Sequence, residues 1–147
     1  MTHTHSRTIG ATVLGYPRIG RQRELKRAIE GYWAGTVSDQ ELRDTGAAQR
    51  REIWRTLSGA GLTEVPVNDF SFYDHVADMI QLLGAVPERH QVAHPAPTTS
   101  NEARRAELDE YFAMARGTET AAPLEMTKWF DTNYHYLVPE LGPHSAF

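Results

Sequence analysis

A chain of 147 residues with 40% hydrophobic and 23% charged side chains is long enough for a buried core and has a globular make-up. Its formal charge of −4 excludes a general nucleic-acid binder, which needs a basic surplus, and no apolar run reaches the length that crosses a bilayer. The absence of cysteine removes disulfides and thiolate chemistry from this chain, which suits a cytoplasmic protein without a membrane partner.

The opening MTHTHSRT is polar and is expected to be a flexible tail over residues 1–8, ahead of one domain over residues 9–147. Ala11–Leu14 are small or β-branched and predict a buried strand, with Gly15–Gly20 as the loop at its C-terminal end. Leu25, Ala28, Ile29, Tyr32 and Trp33 then fall at helical spacing, one apolar face of a helix that Gly35 stops. Ser38 and Glu41 have capping-box spacing, so a second helix should run to about Ser58 and end at Gly59 and Gly61. LTEVPV, residues 62–67, predicts a second strand. Val76, Met79, Ile80 and Leu83 predict one face of a third helix that stops at Gly84. Pro87 to Ser100 has no periodicity and is expected to be a surface loop. Leu108, Tyr111, Phe112 and Ala115 mark a fourth helix closed by Gly117, and YHYLVP near the end is strand-like. Strands followed by helices point to a parallel α/β arrangement with function at the loops after the strands. Too few strands are visible for a closed barrel, so the chain is expected to be the beginning of something larger.

Three groups of residues carry candidate chemistry. Arg18, Arg21, Arg23, Lys26 and Arg27 surround a single acid, Glu24, where a loop enters the first helix. They suit a clamp for carboxylates or phosphates, which arginine grips bidentately, and equally a solvated basic helix face. Neither GxGxxG nor a Walker loop is present. Asp69, Asp74 and His75 could orient a ligand or move protons, or Asp74 could simply cap a helix. The stretch EMTKWFDTNYHYLVPE sets Lys128 and Asn133 among the rings of Trp129, Phe130, Tyr134, His135 and Tyr136. Such rings suit the wall of a pocket for a flat ligand, or an aromatic core strand with polar residues on its outer face. His3, His5, His90 and His94 form no HExxH or cysteine-based pattern, so the sequence offers no zinc motif.

The blocks LGYPRIGRQRELKRAIEGYWAG, VPVNDFSFYDHVADMIQLLGAVPERH, YFAMARG and EMTKWFDTNYHYLVPELGP, in this order, resemble the N-terminal region of cobalamin-independent methionine synthase. That resemblance implies a partial (β/α)8 TIM barrel, the first βα units of the N-terminal barrel of a two-barrel enzyme. It implies methyl transfer from 5-methyltetrahydropteroyltri-L-glutamate to homocysteine, with no cobalamin. It also implies zinc, which lowers a thiol's pKa, held by ligands of the C-terminal barrel that this chain lacks. The chain alone is therefore expected to be inactive, and homocysteine is expected to bind only with the C-terminal barrel. Carried over residue by residue, the family's RELK segment falls on Arg23, Glu24, Leu25 and Lys26, its EMTKWF lysine on Lys128 and its TNYHY asparagine on Asn133. All six are expected to contact the folate triglutamate. The alternative is a stand-alone, non-catalytic module that binds a polyanionic small molecule.

Overall fold

The computed structural model describes residues 10–91 and 99–142. The tail expected over residues 1–8 with His3 and His5, the part of the Pro87–Ser100 loop that holds His94, and the last five residues lie outside the described residues. The chain divides into two compact units, one ending at Phe70 and the other starting at Ser71. Together they show a mixed, mainly helical fold with one short two-stranded sheet.

In the first unit an irregular segment from Gly10 to Arg23 enters α1 (Glu24–Trp33). Leu25, Ala28 and Ile29 turn inward as the apolar spacing predicts, while Tyr32 and Trp33 are only half-buried. Ser38 opens α2 (Asp39–Gly59) with a complete capping box. The Ser38 hydroxyl accepts the Glu41 N–H, and the Glu41 carboxylate accepts the Ser38 N–H at 2.8 Å. Helix α2 packs on α1 and buries Leu42, Gly46, Ile53 and Leu57. Removing the side chains of Leu42, Ile53 and Leu57 from water contributes about 1.5–3 kcal/mol each. Beyond α2 the chain returns to the N-terminal segment, and the Trp54 indole N–H of α2 donates to the Pro66 carbonyl at 3.2 Å. The Arg50 guanidinium lies 4.8 Å from the centre of the Phe70 ring.

The segments 11–14 and 62–67, expected as strands, form no ladder in this structure. They run close enough for the Thr63 N–H to reach the Ala11 carbonyl at 2.9 Å and the Thr12 hydroxyl to reach the Glu64 carbonyl at 3.3 Å. A strand is defined by its neighbours, and these segments have one another but no flanking partner among the described residues. Leu14 is fully exposed and Val67 is 70% exposed. The expected parallel sheet is accordingly not seen here.

In the second unit α3 (His75–Leu82) packs on α4 (Ser100–Arg116), with a single 3-10 turn at Glu88–His90 beside α4. The face of α3 is turned from the expected one. Of the predicted face Ile80 is buried, but Met79 and Leu83 are exposed, and Ala77 is buried beside Ile80 instead. Gly117 ends α4 at φ 73, and a Cβ there would lie 2.7 Å from the Ala121 carbonyl, so the turn requires glycine. The only ladder among the described residues joins β1 (Met126–Lys128) to β2 (His135–Leu137). It is an antiparallel hairpin that pairs Met126 with Leu137, Thr127 with Tyr136 and Lys128 with His135. Leu137 is fully buried, and β2 lies against α3.

Candidate functional site

The cationic run sits on the loop that leads into α1. Arg23 precedes the helix at φ 63, ψ 36, a left-handed conformation that costs a non-glycine residue about 1–2 kcal/mol. Four bonds hold the turn. The Arg23 N–H donates to the Gly20 carbonyl at 3.1 Å and the Leu25 N–H to the Ile19 carbonyl at 3.2 Å. The Gln22 N–H donates to Glu24 Oε2 at 3.0 Å, and the Arg27 guanidinium donates to the Gln22 carbonyl. Arg23 makes no side-chain cap bond to the helix, and its side chain is exposed, as is that of Arg21.

Within the stretch Arg23–Lys26 the four side chains do different things. Leu25 is 1% exposed and belongs to the core. Glu24 turns back on its own loop. Lys26 pairs with Glu30 one turn on, and both side chains are substantially exposed. Such a surface pair contributes at most about 1 kcal/mol, so a carboxylate from a ligand can replace it. Between this loop and α2 lies a pocket of about 180 Å³, walled by Tyr16, Pro17, Ile19 and Arg21 on one side and Gln49, Glu52 and Ile53 on the other.

The other two candidates lie in the second unit, on the hairpin. Lys128 ends β1, and Asn133 lies in the connecting loop. The loop is shaped by the Trp129 N–H to the Tyr134 carbonyl at 2.8 Å and by Thr132, whose hydroxyl donates to the Trp129 carbonyl at 2.9 Å. Asp131 takes φ 51 at the tip. Lys128 and Asn133 line one open depression of about 570 Å³ with Trp129, Phe130, Asp131 and Thr132. Trp129 is 61% and Phe130 86% exposed, so these rings are not a core strand. The Trp129 ring meets Tyr136 edge-on, with ring centres 5.7 Å apart.

Asp69 and Asp74 serve the backbone. Asp69 accepts the Tyr16 N–H at 2.9 Å. Asp74 is the N-cap of α3, and one carboxylate oxygen accepts the N–H groups of Ala77 at 3.3 Å and Leu137 at 3.2 Å. The capping reading therefore describes Asp74. His75 stands 3.9 Å from Asp78 at the surface. Sequence reasoning missed the part played by Gln22 and Arg27, because the left-handed turn at Arg23 leaves no mark in residue type.

Among the described residues, no three or more of His, Asp and Glu converge on a possible metal ion, and the sequence has no cysteine. These residues do not fit the zinc that the family resemblance implies. No helix among them is long and apolar enough to cross a membrane.

The described residues are mainly helical, with an exposed cationic turn in the first unit and an aromatic, lysine-bearing hairpin in the second. The family model for the cobalamin-independent synthase N-terminal domain matches residues 10–147, and the chain belongs to that family, in the N-terminal domain of cobalamin-independent methionine synthase. It is 61% identical over 93% of its length to 5-methyltetrahydropteroyltriglutamate–homocysteine methyltransferase of Streptomyces coelicolor, covering 17% of that protein. It is 60% identical to the protein of the same name in Streptomyces griseus and 56% identical to that in Mycobacterium tuberculosis, covering 16% and 17% of them. The chain thus spans about a sixth of the length of these relatives.

Proposed function

We propose that this chain supplies triglutamate contacts to a methyltransferase that moves the methyl group of 5-methyltetrahydropteroyltri-L-glutamate to homocysteine. The observation that carries the reading is the family match along residues 10–147, to relatives named for that reaction. The chemistry of the two patches agrees with it. A triglutamate tail carries several carboxylates, and Arg21, Arg23 and Lys26 stand at the start of α1, where the helix dipole also favours negative charge. Lys128 and Asn133 offer further donors, and the exposed rings beside them suit a flat heterocycle. In this reading the chain forms the first βα units of an N-terminal barrel, and residues 11–14 and 62–67 become strands once neighbours pair with them. Homocysteine and the zinc that activates its thiol belong to the rest of the enzyme, whose donor groups these residues do not supply.

The test exchanges this chain for the matching segment of the Streptomyces coelicolor methyltransferase. Lys26 and Lys128 would each donate a charge-assisted hydrogen bond worth about 1.5–3 kcal/mol to a glutamate carboxylate. Lys26→Ala or Lys128→Ala should weaken the triglutamate substrate by roughly ten- to hundredfold. A monoglutamate folate should lose much less from at least one change, and the loss should shrink as salt rises. Variants that bind both folates as the parent does would remove the reading. Equal retention of triglutamate and inorganic tripolyphosphate by the chain itself would favour a non-catalytic polyanion module.

A further inference from the structure

Glu24 is the sole acid between Arg18 and Arg27, and a carboxylate pointed at a polycarboxylate ligand would repel it. Its oxygen instead accepts the N–H of Gln22 at 3.0 Å, while the carbonyl of the same residue takes the Arg27 guanidinium. We propose that Glu24 and Arg27 are positioning residues, holding both backbone groups of Gln22 and so fixing the turn from which Arg21 and Arg23 meet the anion. The inference rests on the triglutamate reading above and assigns Glu24 a different task from its neighbours.

Three features of the loop support this division. A left-handed conformation at a non-glycine residue persists where its surroundings over-determine it, and Arg23 at φ 63 sits directly between the gripped Gln22 and Glu24. Gly20 is itself left-handed at φ 85, and a Cβ there would collide with Glu24 Oε2 and lie 2.9 Å from Gln49 Oε1. Glycine at this position is what lets the Glu24 carboxylate fold against the loop. The two arginines on the turn, meanwhile, keep exposed side chains. Held this way, the negative charge of Glu24 is used on a backbone donor, and the positive charges face outward.

The sign of one substitution separates positioning from charge. Glu24→Ala removes a negative charge, so charge alone predicts tighter triglutamate binding. Loss of the brace predicts weaker binding, by roughly three- to tenfold for one hydrogen bond. Glu24→Gln keeps an acceptor oxygen without the charge, and should bind triglutamate as well as the parent or better. In the exchanged enzyme, the Glu24→Ala change should raise KM for the triglutamate folate and leave kcat and the KM for homocysteine alone. General unfolding would lower kcat as well. In the 147-residue chain, hydrogen exchange at the Gln22 amide should quicken roughly three- to tenfold in Glu24→Ala and stay slow in Glu24→Gln. Unchanged or tighter triglutamate binding by Glu24→Ala, in an enzyme that still prefers triglutamate to monoglutamate, would overturn the positioning role and leave the functional reading standing. A parent enzyme that does not distinguish the two folates would overturn the triglutamate reading and the anion-presenting role together, whatever the Gln22 amide does.

Discussion

The hydroxyl of Tyr111 accepts hydrogen bonds from the N–H groups of Tyr73 at 3.0 Å and Asp74 at 3.1 Å, and donates to the Asp74 carbonyl at 3.2 Å. Burial, and after it the negative charge of Asp78, push this hydroxyl's pKa upward, so it stays a protonated donor at every physiological pH. Since Asp74 also caps α3 and receives the Leu137 N–H, a few atoms join α3, α4 and β2. Tyr111→Phe keeps the ring and removes only the oxygen, stripping that acceptor from two N–H groups in a water-poor site. We expect a loss of about 2–3 kcal/mol, read as a lower urea midpoint with an unchanged slope. A variant that unfolds with the parent would show that the ring alone does the work. Part of this was legible: an aspartate just before an apolar helical run signals an N-cap. Its partner was not, because Tyr111 stands on another helix and only folding brings its hydroxyl to the cap.

Helices were the most legible elements because their signals are local. Ser38 and Glu41 announce the start of α2 three residues apart, and the structure forms both halves of the box. The backbone and side-chain bonds from Ser38 hold the Glu41 carboxyl below its ordinary range. Replacing Ser38 with alanine should cost about 1 kcal/mol, while Ser38→Gly should cost only a few tenths, about 0.3 kcal/mol, and Ser38→Asp almost nothing. Thermal melts followed by circular dichroism would rank the three variants, and an alanine variant as stable as the aspartate one would dismiss the cap. The face of α3 was harder to read. Ile80 goes inside as its period predicts, but Met79 and Leu83 fit that period equally well, and only the packing of α4 and β2 decides that the small Ala77 is buried in their place. Strands 11–14 and 62–67 fail for a related reason. Their composition is right for a sheet, but a ladder depends on neighbours that a single segment cannot specify. At the candidate site, the cationic run and the lysine–asparagine hairpin were visible as residue types, whereas the inward turn of Glu24 depends on backbone angles at Gly20 and Arg23.

At the scale of the whole molecule the two units differ in how they should respond to acid. Residues 10–70 contain no histidine, whereas the second unit buries His90 to 2% exposure. Burial, reinforced by the adjacent Arg89 charge, holds this imidazole below its ordinary value of 6.5. The folded chain therefore keeps His90 neutral over a range in which the unfolded chain already takes up a proton. Stability from this group is present above pH 6.5 and is lost as the pH falls from 6.5 through the folded value. The lowered carboxyls act further down. Glu140, held down by its two bonds to Arg89, and Glu41 give stability that disappears only as the pH drops below their ordinary 4.5. Between pH 7 and 5 the second unit should thus weaken while the first holds. Pulse-labelling hydrogen exchange after equilibration in urea at pH 7, 6 and 5 would report a midpoint for peptides of each unit separately. The midpoint of peptides from residues 71–142 should fall across this range, and that of peptides from residues 10–70 should stay level. His90→Leu removes the titrating group, so its second-unit midpoint should lose most of the slope, whatever its absolute value. A slope that survives in His90→Leu, or midpoints that fall equally in both units, would mean that acid acts through groups other than this buried imidazole.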